Sequence, residues 1–518
     1  MLVIGFGSGT VVQKIPDFIK KIDVIELEPL VIEASRRMAD RRAHDPLSDR
    51  RVNIINNDAR GALALTGKKY DIIVSQPSHP WTAGASHLYT REFLDMVSDH
   101  LQPDGIFLQW MGTYLIDDAL FQILGQTVLD VFPHVRMYQP NGAELMFLAS
   151  HSEIHPERQL AGIGKPPEEF PELYQRIGLT GPCDLAAALM MNTDALKRAV
   201  GDAPVNTDDH NRLAFGTTHR DEKIKNTALD DLLRSHDMLL DPTSELRAGS
   251  IRLFPPMVAE SVTWQHSVER ANAYARTLQD PGDQLTVQGI LFMNQGAANE
   301  AAARFYAAWE MDHYNSDAGF LICNMACIDL AKSVPAQFQA IIDSLPRDEA
   351  VVLDAVLAIE RGDYDRAAEL DDQLARVSPE KICYSYALSV RAIHRIRIGQ
   401  RDGIPELGAE AIAIADRALA TVRRPSIMML RFEAAALCND IDAALETATA
   451  IAMKTATTVA METHAGQREA VEKFLQGDAM AILEKLEKLK LSNDSEREHL
   501  ARVMNIYVSD MGIIPGKK

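Results

Sequence analysis

The feature that most constrains this chain stands at its start. An apolar run, Leu2-Val-Ile4, leads directly into three glycines at two-residue intervals, Gly5, Gly7 and Gly9, and a second apolar run, Ile22–Leu27, ends on acids. Short apolar runs bounded by turn signals are strands buried on both faces. Glycines between such a strand and the next helix let the backbone turn sharply, and let a ligand approach main-chain N–H groups at the turn. The chain therefore begins as a β-turn-α-β unit of a parallel sheet.

The same alternation continues to residue 150. Strands are expected at Val52–Ile55, Asp71–Val74 and Ile106–Trp110, and then at Val135–Gln139 and Leu145–Ala149, joined by a turn at Pro140-Asn-Gly142. The last two read as an antiparallel pair at the sheet edge. Helices are expected over Pro29–Arg42, Gly61–Leu65, Arg91–His100 and Asp117–Val131, with a turn at Pro103-Asp-Gly105. This is an α/β Rossmann-like domain over residues 1–150. Residues 151–250 are an irregular, proline-punctuated extension that carries the loop Ala203-Pro-Val-Asn-Thr-Asp-Asp209. From 256 to 518 the pattern is helix after helix. Gly289, Phe292, Gly296, Ala301, Phe305 and Ala308 fit the small and aromatic positions of a tetratricopeptide unit. Gly362, Ala367 and Pro379 fit the same template 66 residues on, and looser copies centre on Gly399, Asn439 and Gly477. The expectation is an all-α, tetratricopeptide-like repeat domain that offers a surface to a protein partner. An unrelated helical bundle is the alternative.

Glycine spacing alone is a weak signal. Two acids strengthen it. Glu26 closes the second strand about twenty residues after the loop, where a carboxylate can accept from both ribose hydroxyls of a nucleoside. Asp58, followed by Ala59, lies just past the third strand, where it can accept from an adenine amino group; it also suits a helix N-cap. A nicotinamide site normally has G-x-G-x-x-G spacing, which these glycines lack. The reading is a site for an adenosyl ligand, with Gly5, Gly7, Gly9, Glu26, Asp58 and Ala59 as its binding residues.

After the fourth strand come Ser75-Gln-Pro-Ser-His-Pro-Trp81 and Gly84-Ala-Ser-His-Leu-Tyr-Thr-Arg-Glu-Phe93, and the fifth strand carries Leu108-Gln109. With Gly5–Gly9, Glu26-Leu-Glu28 and Asp58-Ala59, these segments resemble, in order, the motifs of the spermidine synthase family, within the class I S-adenosylmethionine-dependent methyltransferase superfamily. The stretch is most similar to the bacterial branch in which such a domain is fused to membrane helices and which carries an N-T-D-D loop like Asn206–Asp209. The resemblance implies a transferase of polyamine biosynthesis. Its co-substrate would be decarboxylated S-adenosylmethionine, or S-adenosylmethionine, with no metal, and an aminopropyl group would pass to a small cationic amine. It also implies a β-rich or membrane segment ahead of the first strand. Because Met1–Ile4 is already a core strand, such a segment is expected to be missing from this chain.

Two positions depart from the family. Gln76 stands at the place of the principal catalytic acid, and an amide takes no proton at neutral pH. His79 stands at the second acid and offers an imidazole base. Trp81 is expected to line a slot for an alkyl chain or to pack. Asp208 and Asp209 are expected to supply negative charge to the amine or to cap a helix. Arg91 and Glu92 read as a surface pair at a helix start. The alternatives are a methyltransferase on the same fold, or a catalytically impaired nucleotide-binding domain attached to a protein-interaction solenoid.

Composition excludes several classes. Fifty-three basic and 73 acidic residues leave a net charge of −20, against a nucleic-acid partner. No run of about eighteen apolar residues is present, so no membrane segment is expected in this chain. Five scattered cysteines, with Cys323 and Cys327 read as core residues rather than metal ligands, suit a reduced, cytoplasmic setting or the cytoplasmic part of a membrane-fused protein.

Overall fold

A computed structural model describes residues 1–13, 15–39, 45–80, 82, 84–113, 116–141, 144–155, 182–215, 227–248, 255–265, 268–295, 297–379, 381–421, 425–440, 443–444 and 447. The chain divides into two compact units, with the boundary between Leu291 and Phe292.

The first unit is built on one eight-stranded sheet. Its strands are β1 (Leu2–Ile4), β2 (Ile22–Glu26), β3 (Val52–Asn56), β4 (Tyr70–Ser75), β5 (Leu101–Gly112), β6 (His134–Asn141), β7 (Glu144–Ser150) and β8 (Leu189–Met191). They lie in the order β3-β2-β1-β4-β5-β7-β6-β8. The first five pair in parallel, and β7, β6 and β8 add antiparallel strands. Strand periodicity sorts the apolar residues between two layers. Leu2, Ile4, Ile25, Ile73 and Phe107 join one core with Leu63, Phe93 and Phe121. Val3, Ile22 and Val24 turn to the other face, onto Phe6, Val12 and Ile32. The helices that cover these faces are α1 (Thr10–Gln13), α2 (Pro29–Arg37), α3 (Ala59–Ala64), α4 (Arg91–Asp99) and α5 (Asp118–Val131). This is the α/β Rossmann-like fold of class I methyltransferase type expected for the first 150 residues.

The antiparallel pair is present, but it is not the edge. β8 closes that side by pairing with β6, Met137 opposite Met191. The residues Leu189-Met-Met191 are too few to show a period, so only the open edge of β6 selects a strand there. Pro103–Gly105 does not end an element either. Tyr70 pairs with Leu101 and Ile72 with Ile106, so the extra residues form an irregularity within β5.

The segment read as irregular extension belongs to the first unit. Leu196, Leu213, Leu239, Val258, Ala271 and Tyr274 all enter its main core. The all-helical pattern therefore begins before the second unit does: helices Pro255–Gln265 and Val268–Thr277 lie on the first side of the boundary. Arg270 fastens them there. Its Nε lies 2.6 Å from Asp237 Oδ2 and its Nη2 2.9 Å from Oδ1, and it also donates to the carbonyl of Ala187. The Asp237 side chain has no solvent exposure.

The second unit is helical. Helices Ala298–Met311, Arg347–Glu360, Tyr384–Asp402, Glu406–Thr421 and Pro425–Cys438 pack mainly against their chain neighbours. Several residues of the expected repeat have clear local reasons. Ala301, Phe305, Ala308 and Ala367 are buried. Gly362 (φ 73°) and Asn439 (φ 57°) take left-handed conformations that stop helices. A Cβ on Gly399 would lie 2.5 Å from the Leu437 side chain, so the small residue permits close helix approach. Cys323 is buried, and its burial pushes the thiol pKa up to about 12. Gly296 and Gly477 lie outside the described residues. Among the described residues, no helix is long and apolar enough to cross a membrane.

Replacing Arg270 by Ala leaves the Asp237 carboxylate buried without its cation. Breaking such a pair costs about 3–5 kcal/mol. We expect Arg270→Ala to lower the urea midpoint of the first unit's transition by that equivalent, against a change near zero for Arg366→Ala on the exposed Asp354 pair. Equal, small shifts for both variants would show that Arg270 does not fasten the helices.

Candidate functional site

In an open parallel sheet, the crevice for a ligand opens where the strand order reverses, at the C-terminal strand ends. Here the reversal lies between β1 and β4. The glycine loop leaves β1, and the segment beginning at Gln76 leaves β4 beside it. Gln76 donates its backbone N–H to the Ile4 carbonyl at 2.9 Å, and Gly5 donates to the Ile25 carbonyl at 2.9 Å. A Cβ on Gly5 would lie 2.5 Å from the Gln76 carbonyl oxygen, at a φ of 90°. Only glycine fits there. Gly7 also has positive φ, but a Cβ on it would meet nothing within 4 Å, so the loop has open space above it.

Glu26 sits at the end of β2, 9% exposed. Its Oε2 accepts from the Phe6 N–H at 2.9 Å and its Oε1 from the Glu28 N–H at 2.9 Å. The carboxylate is thus held against the glycine loop by main-chain donors. Gly7 N–H also approaches Oε2, at 3.5 Å, so Oε1 is the oxygen with a second lone pair for an incoming hydroxyl. Asp58 is exposed. Its Oδ2 accepts from Gly61 N–H at 2.8 Å, making it the N-cap of α3, and Ala59 is buried beneath it. The turns carrying Glu26 and Asp58 are bound together: Asn57 N–H and Asn56 Nδ2 both donate to the Glu26 carbonyl, at 3.2 and 2.7 Å.

Beyond β4, Gln76 is exposed and His79 half-buried. The His79 ring lies 5.4 Å from the Trp110 ring and over Gly112, where a Cβ would come within 2.6 Å of Cε1. Burial lowers the imidazole pKa, so the ring is neutral at pH 7. Trp81 lies outside the described residues. The turn Ala85–Tyr89 follows, and Tyr89, fully buried, donates its hydroxyl towards the carbonyls of Ser78 and Trp110, both at 3.3 Å. Beneath lie Ser75 and Gln109, paired in register across β4 and β5 and both fully buried.

The structure places the Asn206–Asp209 loop against this region but gives Asp208 a different partner from the expected amine. Asp208 receives a two-pronged bond from Arg60, at 2.6 and 2.5 Å, and a third from Thr90 Oγ1 at 2.9 Å. These donors, the Arg60 guanidinium first, hold its carboxyl below the usual carboxylate range. Glu92 accepts from the Asp208 N–H, while Arg91 pairs with Asp130 and Asp95, so the expected Arg91–Glu92 pair does not form. Asp209 is exposed. Asn206 is fully buried and joins four segments: it receives from Arg91 and Arg212 N–H groups, and donates to the Tyr89 carbonyl and to Thr127 Oγ1.

Arg60, Thr90, Tyr89, Asn206 and Gln109 therefore form the framework of the candidate site; the sequence offered Tyr89, Asn206 and Gln109 only as members of motifs, and did not single out Arg60 or Thr90. Their partners lie far off in sequence. The one available signal was the acid-rich Asn-Thr-Asp-Asp run opposite an isolated arginine after Asp58. Among the described residues, no cluster of three or more His, Cys, Asp or Glu side chains is placed to hold a metal ion.

Gly5 and Gly7 make a controlled pair for the crevice. Both have positive φ, which costs an alanine about 1–2 kcal/mol, but only Gly5 meets backbone. We expect Gly5→Ala to lower thermal stability clearly more than Gly7→Ala does in the same scan. Equal losses would show that the approach to Gln76 is not the constraint.

Residues 1–141 match the family described as Spermine/spermidine synthase domain. A polyamine aminopropyltransferase of Lachnospira eligens is 31% identical over 166 residues, which is 30% of this chain and 57% of that protein. One from Clostridium perfringens is 31% identical over 160 residues, 29% of this chain and 56% of that protein. The crystal structure of spermidine synthase from Thermotoga maritima is 26% identical, covers 30% of this chain and 54% of its own, and has a TM-score of 0.27. The chain spans about half the length of the curated relatives it matches. The similarity to the spermine/spermidine synthase domain thus lies in the first 141 residues of this chain.

Proposed function

We propose that the first unit binds decarboxylated S-adenosylmethionine, or a closely related adenosyl ligand, at the β1/β4 crevice and transfers its aminopropyl group to a polyamine. The observation that carries this reading is the crevice itself: the Gly5–Gly9 loop with open space over Gly7, Glu26 held at the loop, and Asp58-Ala59 beside it, in a domain matching spermine/spermidine synthases. Glu26 suits the ribose hydroxyls and Asp58 Oδ1 the adenine amino group. The co-substrate supplies a carbon activated by its sulfonium.

In this reaction the amine nitrogen forms a bond to that carbon, the carbon–sulfur bond breaks with its electron pair going to sulfur, and methylthioadenosine leaves. The amine must attack as the free base, so one proton has to be removed. His79, neutral at pH 7 and braced on Trp110, suits that task. Gln76, exposed at the mouth, suits acceptance of a hydrogen bond from the amine through its side-chain carbonyl. The helical second unit is proposed as a tetratricopeptide-like scaffold for a protein partner, in a cytoplasmic setting.

Calorimetric titration of the full chain with methylthioadenosine, S-adenosylmethionine and the decarboxylated form tests the site. At least one is expected to bind, with the affinity abolished by Glu26→Ala. No binding by any of the three sinks the adenosyl assignment. Incubation with the decarboxylated form and putrescine is expected to release methylthioadenosine. The rate should rise with pH through a value below about 6.5, as the His79 imidazole loses its proton, and then level off. His79→Ala should lower the rate about 100-fold or more. Binding without turnover favours a catalytically impaired domain, and a methylated product favours a methyltransferase.

A further inference from the structure

The Asn206–Asp209 loop was expected to bring charge to the acceptor amine. Its geometry points elsewhere. Asp208 spans 148 residues of sequence to grip Arg60, and Arg60 directly follows the Asp58-Ala59 pair. The same carboxylate holds Thr90 at the end of the Ala85–Tyr89 turn, and His87 Nδ1 lies 3.7 Å away. The loop cannot shift freely to follow a ligand. Buried Asn206 ties it to α5 through Thr127 and to the chain at Tyr89 and Arg91. The Arg60–Asp208 contact is two-pronged, so it fixes the guanidinium in orientation as well as distance.

We propose that Asp208, through Arg60, is a positioning residue for adenine recognition: the clamp holds the turn carrying Asp58 and Ala59 in register with the glycine loop. This rests on the adenosyl reading above. Asp208 itself touches neither co-substrate nor acceptor. The clamp also links the adenine side of the crevice to the Ala85–Tyr89 turn on the acceptor side, since one carboxylate anchors both. Asp58 is exposed and is held from its own side by its cap to Gly61 and the neighbouring Asn57 and Asn56 bonds to Glu26. Arg60–Asp208 supplies the fastening from the opposite side.

The test is a double-substitution cycle on methylthioadenosine affinity, measured by calorimetry on the full chain, with circular dichroism and a thermal scan for each variant. Wild type is measured first; if it does not bind, the adenosyl reading fails and not the clamp. Given binding, Asp208→Asn is expected to weaken methylthioadenosine about 10-fold or more. Asp58→Asn should weaken it comparably, and the double variant should be little worse than Asp58→Asn alone, because both act through one contact. Arg60→Lys, which keeps the charge but loses the two-pronged geometry, should weaken binding too. A folded Asp208→Asn variant that binds within about twofold of wild type overturns the proposal. So does full additivity with Asp58→Asn, which would mark the clamp as general support. Exchanging the partners, Arg60→Asp with Asp208→Arg, should recover part of the affinity lost in either single exchange. If Asp208→Asn does not fold, Arg60→Lys carries the same cycle.

Discussion

Gly5 passes so close to the Gln76 carbonyl that no side chain can stand between them, and the rest of the first unit is arranged around that approach. β1 is flanked by β2 on one side and β4 on the other, and the chain leaves β1 and β4 in adjacent turns. A crevice at the strand ends follows from this topology. Glu26 then turns its carboxylate to the loop's N–H groups instead of to solvent, so the loop and the end of β2 are held as one piece. Buried main-chain donors need partners, and here a carboxylate at a strand end supplies them while keeping capacity for a ligand.

Around that centre the polar groups divide their work. Asp58 caps a helix and stays exposed, so its cap bond leaves one oxygen open. Asp208 accepts from Arg60 and Thr90, so its charge is shared with a guanidinium. His79 lies on Trp110 and Gly112, and its burial lowers the imidazole pKa. With Gln76 and His79 after β4, the crevice carries no carboxylate at the two positions where the resemblance implied acids.

The first unit also extends well past the Rossmann-like core. β8 and the helices to Leu291 complete a single hydrophobic core, and the Arg270–Asp237 pair marks where chain that reads as the start of a helical repeat has been drawn into it. Helical periodicity is the same in both units, so a change from mixed to helical pattern at residue 256 does not mark the boundary. What marks it is which apolar faces share a core.

Much of the fold could be read along the chain because its signals are local. β1 to β5 and α2 to α5 follow from apolar runs of strand length, helical spacing and caps such as Asp117, and the order of glycine loop, Glu26 and Asp58 follows from which strand each one ends. Trp81 and the repeat copy centred on Gly477 lie outside the described residues and add nothing to that comparison. The sequence by itself determined the parallel α/β core, the glycine turn and the acids at the strand ends, because each is set by neighbours within a few residues. Only the tertiary structure decided that Asp208 faces Arg60, that Asn206 joins four segments, that β8 covers β6 and that Arg270 enters the first core. Those choices depend on which charges and open strand edges meet across separations that run from 33 to 148 residues, and a charge carries no local sign of the partner that will share its desolvation.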